Sequence, residues 1–568
     1  MLSRIRKLVH TALRGEDRLR ADGMRHQTVA AAVAADPAGW AAAVQRAKSG
    51  SKVLIATTVT GFSHVNTVES VLAAALTLRG AEVHLLVCDA VLPGCLRAEQ
   101  DNVPDWRLIG DYKLPDVICA GCMANGRETF GSLGLPIHRL SELLTAEERA
   151  EARRVAAATP LDQLRGVTLE HTAVGEHAFA GCLRYFARGS IENIEGASIV
   201  AQRYLEASIL TVRAVSRLLD RIGKVSTAVF HHGIYVPQGL TGEVCRQRQI
   251  PVVNWNPSYR KNTFIFSHGD TYHHTLIDEP TAVWETMRWS EAEERKILDY
   301  LASRITGTRD WIWFHEKPDQ DFERFAKKVG LNLGKPTIGM LTNVMWDAQL
   351  HYPANAFPGM LEWTIETIRY FETRPDLQLL LRVHPAEIRG TAPSRQPIVD
   401  EIAKVFPTLP ANVFIIGPEV TVSTYAAMAH CDSVIIYGTK TGVELAAVGV
   451  PVIVGGEAWI RHKGLTRDAR SPAEYFRFLD GLPLGQRMPG EQVERARKYA
   501  YHFFFRRMIP LPFIEPLSGK IYKLNVPSLE ALDRQRYPGL DVICDGILEG
   551  SQFIYNAEIY GLHDEAAN

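Results

Sequence analysis

The chain predicts an α/β protein of two doubly wound parallel-sheet halves facing a cleft, with helical segments at both ends. Three observations carry this. Its 568 residues are too many for one core when ~150 residues is typical of a domain. Hydrophobic residues make up 46% and charged ones 22%, the composition of a globular chain able to fill two cores. Compact β-branched runs also alternate with helix-period stretches through short connections. That pattern builds parallel strands covered by helices on both faces.

Residues 1–50 read as a helical extension that ends in an alanine-rich stretch, Thr28–Lys48. Lys52–Thr58 (KVLIATT) is then a buried strand, an apolar-periodic helix runs to Leu78, Gly80 stops it, and Glu82–Cys88 (EVHLLVC) is a second strand. Glycines and Pro115 blur the pattern from Leu114 to Leu144. A mostly helical span covers Ile191–Ile222. Strand Val225–His231, helix Pro237–Gln249 and strand Val252–Trp255 complete another βαβ unit. Ser290–Arg304 and Asp319–Val329 read as charged, solvent-facing helices, and the polar stretch Gly330–Lys335 marks the hinge. Residues 51–330 thus form a first Rossmann-like half.

Residues 331–482 form the second, and its alternation is more regular. The strands are Thr337–Leu341, Gln378–Val383, Val413–Ile416, Ser433–Tyr437 and Pro451–Val454. Between them lie helices Met360–Thr373, Ile398–Phe406, Thr424–Ala429 and Val443–Val448. Residues 483–568 turn helical and aromatic (RKYAYHFFFRRMIPLPF, Arg497–Phe513) and read as a segment packed back on the first half.

Charge and cysteine content exclude several classes. With 63 basic against 64 acidic residues, no global field draws the chain to nucleic acid. Eight cysteines at irregular spacing make no disulfide framework and suit a reducing cytoplasm, and the lone Cys119/Cys122 CxxC reads as packed cysteines rather than a zinc site. Nowhere do about 18 uncharged apolar residues run together, so neither a spanning helix nor secretion is expected. Leu2, Ile5, Val9 and Leu13 recur at helical spacing among Arg4, Arg6, Lys7 and Arg14. Such a helix either lies on the inner face of a membrane or docks on its own domain.

In a doubly wound sheet, ligands bind outside the carboxyl ends of the strands, and the chemically loaded segments fall there. Ser433–Gly456 (SVIIYGTKTGVELAAVGVPVIVGG) opens a buried strand into Gly438, Thr439, Lys440, Thr441 and Gly442 at a helix start. Backbone amides and the positive helix end there suit a diphosphate. Thr439 and Thr441 offer hydroxyl donors, Lys440 offsets charge on a departing phosphate, and Glu444 can accept both hydroxyls of a ribose. Gly449-Val450-Pro451 makes a tight turn into the next strand. Gln378–Glu387 brings Arg382 and His384 to the same edge as donors for phosphate or a base carbonyl. Ser423 either joins them or caps the following helix.

Gly438, Thr441, Glu444, Gly449 and Pro451 stand at the spacing of the donor signature of GT-B glycosyltransferases and UDP-GlcNAc 2-epimerases, and the segment resembles it. His384-Pro385 resembles the His-Pro motif of capsule polysaccharide glycosyltransferases, polysialyl- and Kdo-transferases among them. The likeness covers Thr337–Arg461. It implies the GT-B fold and transfer of a sugar from a nucleotide-sugar donor to a glycan, lipid-linked or protein hydroxyl, in synthesis of a bacterial surface or capsular polysaccharide. The nucleotide is expected along Arg382, His384, Ser423 and Gly438–Glu444. The His-Pro likeness implies a CMP-linked acidic sugar, and the Gly438 turn a UDP or GDP donor.

The acceptor is expected from the first half. Gly61-Phe62-Ser63-His64-Val65-Asn66 resembles the Gly-His-Val-Asn turn of inverting UDP-glycosyltransferases, with two residues between Gly61 and His64. His64 is thus one candidate general base, and His232, in His231-His232-Gly233 at another strand end, is a second. Tyr235, Gln238 and Asn254–Asn256 follow closely as candidates to shape an acceptor pocket. Asn343, Trp346 and Asp347 follow the second half's first strand, where Asp347 meets a sugar or only caps the next segment. A first-half base implies inversion, and its absence leaves a retaining route open. No metal or other cofactor is expected, since the one D-x-D, Asp319-Gln320-Asp321, opens a charged helix. A nucleotide-sugar 2-epimerase or hydrolase, and a non-catalytic sugar-nucleotide or glycan-binding protein, are the alternatives.

Overall fold

A computed structural model describes residues 28–306, 310, 318–348, 350, 353–390, 392–518 and 521–561. The amphipathic pattern from Leu2 to Leu13 lies outside the described residues. The strands of the first half are β1 (Lys52–Ile55), β2 (Glu82–Val87), β3 (Ile137–Arg139), β4 (Thr227–His231), β5 (Val252–Pro257) and β6 (Thr263–His268). Those of the second are β7 (Thr337–Leu341), β8 (Gln378–Arg382), β9 (Val413–Ile416), β10 (Ser433–Ile436), β11 (Val452–Val454) and β12 (Arg467–Asp468). The chain ends with β13 (Ile509–Pro510) and a hairpin of β14 (Ile514–Ser518) and β15 (Ile521–Leu524).

Two sheets result, in orders β13-β6-β5-β4-β1-β2-β3 and β12-β11-β10-β7-β8-β9. Counted from its own first strand, each half runs 3-2-1-4-5-6, the order of a dinucleotide-binding fold. All pairings in the second sheet are parallel. In the first, β6 is antiparallel to β5, and β13 to β6. The strand order reverses between β1 and β4 and again between β7 and β10, which sets two crevices at the carboxyl ends. The two Rossmann-like halves face one another across a shared cleft, and this arrangement is the GT-B fold.

Burial explains why these runs are strands. Every residue of β4, β7, β8, β10 and β11 is buried, as a sheet covered on both faces requires. On β7, Gly339 is required by close approach: a Cβ there would meet Met428 Sδ at 2.5 Å, so the Thr424–Ala429 helix sits directly on the strand. The helical span expected from Ile191 starts only at Ala197, because Gly196 takes a left-handed φ of 80°. β6 is a strand that the alternation does not announce, since five residues rather than a helix separate it from β5.

The C-terminal segment is tied to the first half. Helix Gly490–Tyr501 continues through a π-helical turn, His502–Arg506, in which Phe503, Phe504 and Phe505 are buried. Glu279 meets His502 Nε2 at 2.9 Å and Arg507 Nε at 3.5 Å. Burial alone pushes the Glu279 carboxyl up; the cations beside it outweigh this and hold it at about 2. Burial draws His502 down, against the pull of the Glu279 carboxylate beside it.

Glu279→Ala is expected to cost about 3–5 kcal/mol at neutral pH, because it strands a buried cation. A carboxyl with a depressed folded pKa stabilises above its unfolded value of about 4.3 and loses that contribution as pH falls toward 2. Urea unfolding should therefore separate the variant from the wild type at pH 7 and bring the two together near pH 2.

Candidate functional site

The cleft between the sheets has a volume of about 900 Å³. Its second-half wall is made by the loops after β7, β8 and β10, the edge at which that sheet's strand order reverses. His232, Asp347, Arg382, His384, Ser423, Gly438, Thr439, Lys440 and Thr441 line it. Sequence positions 232 to 441 thus meet at one place.

The β10 strand ends at Ile436, and the chain turns through Gly438 into a helix at Thr441. A Cβ on Gly438 would stand 3.0 Å from the Glu457 carbonyl oxygen, so glycine is what lets this loop lie against its neighbour. The Thr441 amide donates to Thr439 Oγ1 (3.3 Å), and the two hydroxyls are 3.1 Å apart. Gly449 makes the expected turn with φ 84°.

Glu444 sits just beneath this loop, buried, and is not itself on the cleft wall. Its Oε1 meets Arg304 Nε at 2.6 Å and Lys440 Nζ at 2.9 Å, and its Oε2 accepts from the Tyr425 hydroxyl at 2.7 Å. Burial would raise the carboxyl; Arg304 and Lys440 more than offset it and hold it below the usual range. Burial, with Arg304 nearby, lowers Lys440 to about 8. The ammonium lies 4.8 Å from the centre of the Tyr259 ring.

Arg382 is also committed. It donates to the carbonyls of Gly417 (2.6 Å) and Val420 (3.1 Å) and, through Nε, to Thr424 Oγ1 (3.3 Å), so it shapes the loop after β9 as well as the wall. Ser423 in that loop is the N-cap of the next helix, accepting from the Ala426 amide at 3.3 Å. His384 accepts from the Ala386 amide at Nδ1 (3.1 Å), and burial, with Lys440 and Arg382 nearby, lowers it to about 4. The ring is therefore neutral with its proton on Nε2, a hydrogen-bond donor.

The first half supplies the opposite wall. His232 follows β4 in a left-handed conformation, φ 68°, and its Nδ1 is buried with no hydrogen-bond partner among the described residues. Burial and the Arg184 guanidinium lower it to about 3, against the pull of Asp347. Asp347 Oδ1 accepts from Arg184 Nη1 and from the Tyr235 hydroxyl, both at 3.0 Å, while Arg184 also holds Glu99 at 2.6 Å. Burial raises the Asp347 carboxyl, but Arg184 and His232 draw it below the usual range. This group bridges the two halves, and the Asp347 carboxylate is an acceptor at their junction.

His64 does not reach the cleft. Its ring is buried beside Phe62, His231 and Tyr522, with centroids 5.6, 5.7 and 6.0 Å away. The helix that carries it begins at Ser63 and is buried on nearly every side, so the expectation that His64 faces the crevice is corrected here. His231 is likewise inside, 4.9 Å from the Trp255 ring. Gln238 and Asn254–Asn256 are buried rather than on the cleft wall.

Sequence reasoning missed Arg184, Arg304, Tyr259, Tyr272, His273 and Trp459, all of which line the cleft. Asp319 and Asp321 are structural: the first bridges to Val422 in the loop after β9, and the second caps helix Phe322–Val329. Among the described residues, no group of three or more His, Cys, Asp or Glu side chains is placed to hold a metal ion. Cys119 and Cys122 share a void of about 20 Å³ with Cys88 and Cys95, all four as free thiols. No helix among the described residues is long and apolar enough to cross a membrane.

No protein-family model matches the chain, and no curated protein is similar to it in sequence. Among solved structures, it is similar to the KpsC β-Kdo 2,4 transferase of Thermosulfurimonas dismutans, at 11% identity over 48% of this chain and 79% of that one, TM-score 0.31. The β-Kdo 2,7 transferase of the same protein matches at 14% identity over 56% and 88%, TM-score 0.30. The Neisseria meningitidis UDP-GlcNAc 2-epimerase bound to UDP-GlcNAc matches at 8% identity over 80% and 98%, TM-score 0.23.

Proposed function

We propose that the protein is a glycosyltransferase that moves a sugar from a nucleotide-sugar donor to a hydroxyl of a glycan, lipid-linked or protein acceptor. The observation that carries this reading is the meeting, at the reversal of strand order in the second sheet, of the His384 donor and the Gly438 loop, with the Glu444 carboxylate paired to Lys440 directly beneath that loop. The nucleotide lies along Arg382, His384, Ser423 and Gly438–Glu444. Lys440 and the loop amides meet the leaving phosphates without a metal. The acceptor enters from the first half and gives its proton to His232 or Asp347, and closure of the cleft excludes water. A single displacement assisted by His232 inverts the anomeric centre. Within a cell the reading places the enzyme in the cytoplasm of a bacterium, in assembly of a surface or capsular polysaccharide, with its basic N-terminus at the inner membrane face.

A thermal-shift screen of CMP, UMP, UDP, GDP and ADP tests the donor site. A nucleotide at a hundredfold excess over its dissociation constant stabilises by ~2.7 kcal/mol. One of the five is expected to raise the melting temperature of the wild type and to name the donor class. No shift with any of them would overturn the donor-site assignment.

A further inference from the structure

Lys440 belongs to the second half, yet one of its contacts comes from the first. Tyr259 lies in the turn between β5 and β6, half-buried and on the cleft wall, and the Lys440 ammonium sits over its ring. That turn is tied down on both sides of Tyr259. The Ser258 amide donates to the Thr263 carbonyl at 3.1 Å, and the hydroxyls of the same two residues share a hydrogen bond. Arg260 is buried, donating through Nη1 to the Phe504 carbonyl at 3.0 Å with its guanidinium 4.5 Å from the centre of the Phe505 ring. Trp459, from the second half, packs against Tyr259 at 5.9 Å between ring centres. The aromatic face that Lys440 meets is therefore held in place before any ligand arrives.

The charges around Lys440 are few and already shared. Among the described residues, Glu444 is the carboxylate paired with it, and the same Oε1 also meets Arg304. Asp310 pairs with Arg304, and the Tyr425 hydroxyl takes the other Glu444 oxygen. On the same wall His384 is neutral, and Arg382 is a cation bound to carbonyls. Burial, with Arg304, brings the ammonium down to about 8, so a modest change in its surroundings decides whether it is charged near neutral pH. The face of an aromatic ring attracts a cation, and this favours the charged form of an amine by about threefold to thirtyfold.

We propose that Tyr259 is a positioning residue for Lys440: it reaches across the cleft, holds the ammonium over its ring at the Gly438 loop, and so completes the phosphate site of the second half with a side chain of the first. The assignment rests on the glycosyltransferase reading for the phosphate. It adds to that reading a residue that makes phosphate binding depend on the two halves standing together.

Two measurements on the full chain test it, in wild type, Tyr259→Phe and Tyr259→Leu. The first needs no ligand. Acetylation of Lys440 by acetic anhydride, followed by peptide mass spectrometry across a pH series, gives the midpoint at which the amine loses its proton. The midpoint is expected near 8 in wild type and in Tyr259→Phe, which keeps the ring. In Tyr259→Leu, which keeps apolar cover without a ring face, it should fall by about half a unit or more. A midpoint that rises in Tyr259→Leu would mean that Tyr259 only shields the amine from water, and one that stays put would mean that the ring does nothing for it. Either result overturns the proposal.

The second is calorimetric titration with the monophosphate and the diphosphate of the base that the thermal-shift screen names. At about pH 9 the amine must take up a proton to meet a phosphate, so the whole shift appears as lost affinity. Tyr259→Leu should bind the diphosphate about threefold or more weaker than wild type, and the monophosphate equally well. Equal losses for both nucleotides, or none for either, would remove Tyr259 and spare the donor site. No binding of any nucleotide to wild type would remove the donor site and leave the Tyr259–Lys440 contact to be decided by the midpoints. Far-ultraviolet circular dichroism and the melting temperature of the ligand-free variants check that each is folded.

Discussion

Replacing Arg304 by glutamine is expected to tighten nucleotide binding about tenfold, and replacing Glu444 by alanine to abolish it. Both expectations follow from one arrangement. A ribose donates two hydroxyls, and the Glu444 oxygens that would accept them are already occupied by Arg304, Lys440 and Tyr425. Binding through Glu444 therefore has to displace a partner. Arg304 is the one that can leave, because it also pairs with Asp310 and keeps a counter-ion when it does. Lys440 is held over Tyr259 within the phosphate loop. Removing the Arg304 contact spares the nucleotide a charge-assisted hydrogen bond, about 1.5–3 kcal/mol, and the low end of that range is about tenfold in affinity.

Glu444→Ala removes both ribose acceptors, worth at least a hundredfold on the same scale. It also leaves two buried cations facing each other, so Glu444→Gln, which keeps the side chain's shape and an acceptor, is the companion that separates loss of binding from loss of fold. Calorimetric titration with the nucleotide found by the screen measures all three variants. Weaker binding in Arg304→Gln would make Arg304 a direct contact to the nucleotide and sink the displacement argument. Undiminished binding in both Glu444 variants would remove Glu444 from the site altogether.

The second half was legible because its signals are local. Thr337–Leu341, Val413–Ile416 and Thr424–Ala429 stand where periodicity puts them, and the Gly438 turn follows its strand as the pattern requires. What was not legible depends on contacts far apart in sequence. Arg304 sits on a helix read as a solvated charged face, yet Ile297, Tyr300 and Leu301 of that helix are buried, and their spacing with Arg304 is the signal that was available. Arg184 meets Asp347 only because the two halves fold against one another. Nothing around residue 184 announces a partner 163 positions away.

His64 was misplaced for a related reason: a strand-turn-helix fixes where a residue lies in sequence relative to a crevice. Which helical face the crevice sees is decided by what packs on the rest, here Phe62, His231 and Tyr522. The antiparallel strand β6 escaped the reading because no helix-period connection leads into it, and β13, which follows the His502–Arg506 turn, because it is only two residues long.

His232→Asn is expected to lower the rate of sugar transfer by about 10²–10⁴-fold while leaving nucleotide affinity unchanged, the range for removal of a general base. Asparagine is chosen because residue 232 has a φ of 68°, which asparagine tolerates better than most side chains. The imidazole is held neutral by burial and by Arg184, at about 3, so its base form is present throughout the physiological range. The sign is fixed by that depression. Activity that needs the neutral ring is complete above the folded pKa and falls only as pH drops through it, so this group adds no acid limb between pH 8 and pH 5.

Arg184 supplies the internal control. It lowers His232, and Asp347 raises it. Arg184→Gln should therefore move the acid limb of kcat/KM upward, toward the ordinary histidine value of about 6.5. Arg184 also draws Asp347 down, so the shift alone does not separate the two groups; a limb that persists unchanged in His232→Asn would assign the proton transfer to Asp347, the other group that the cleft presents to an acceptor hydroxyl.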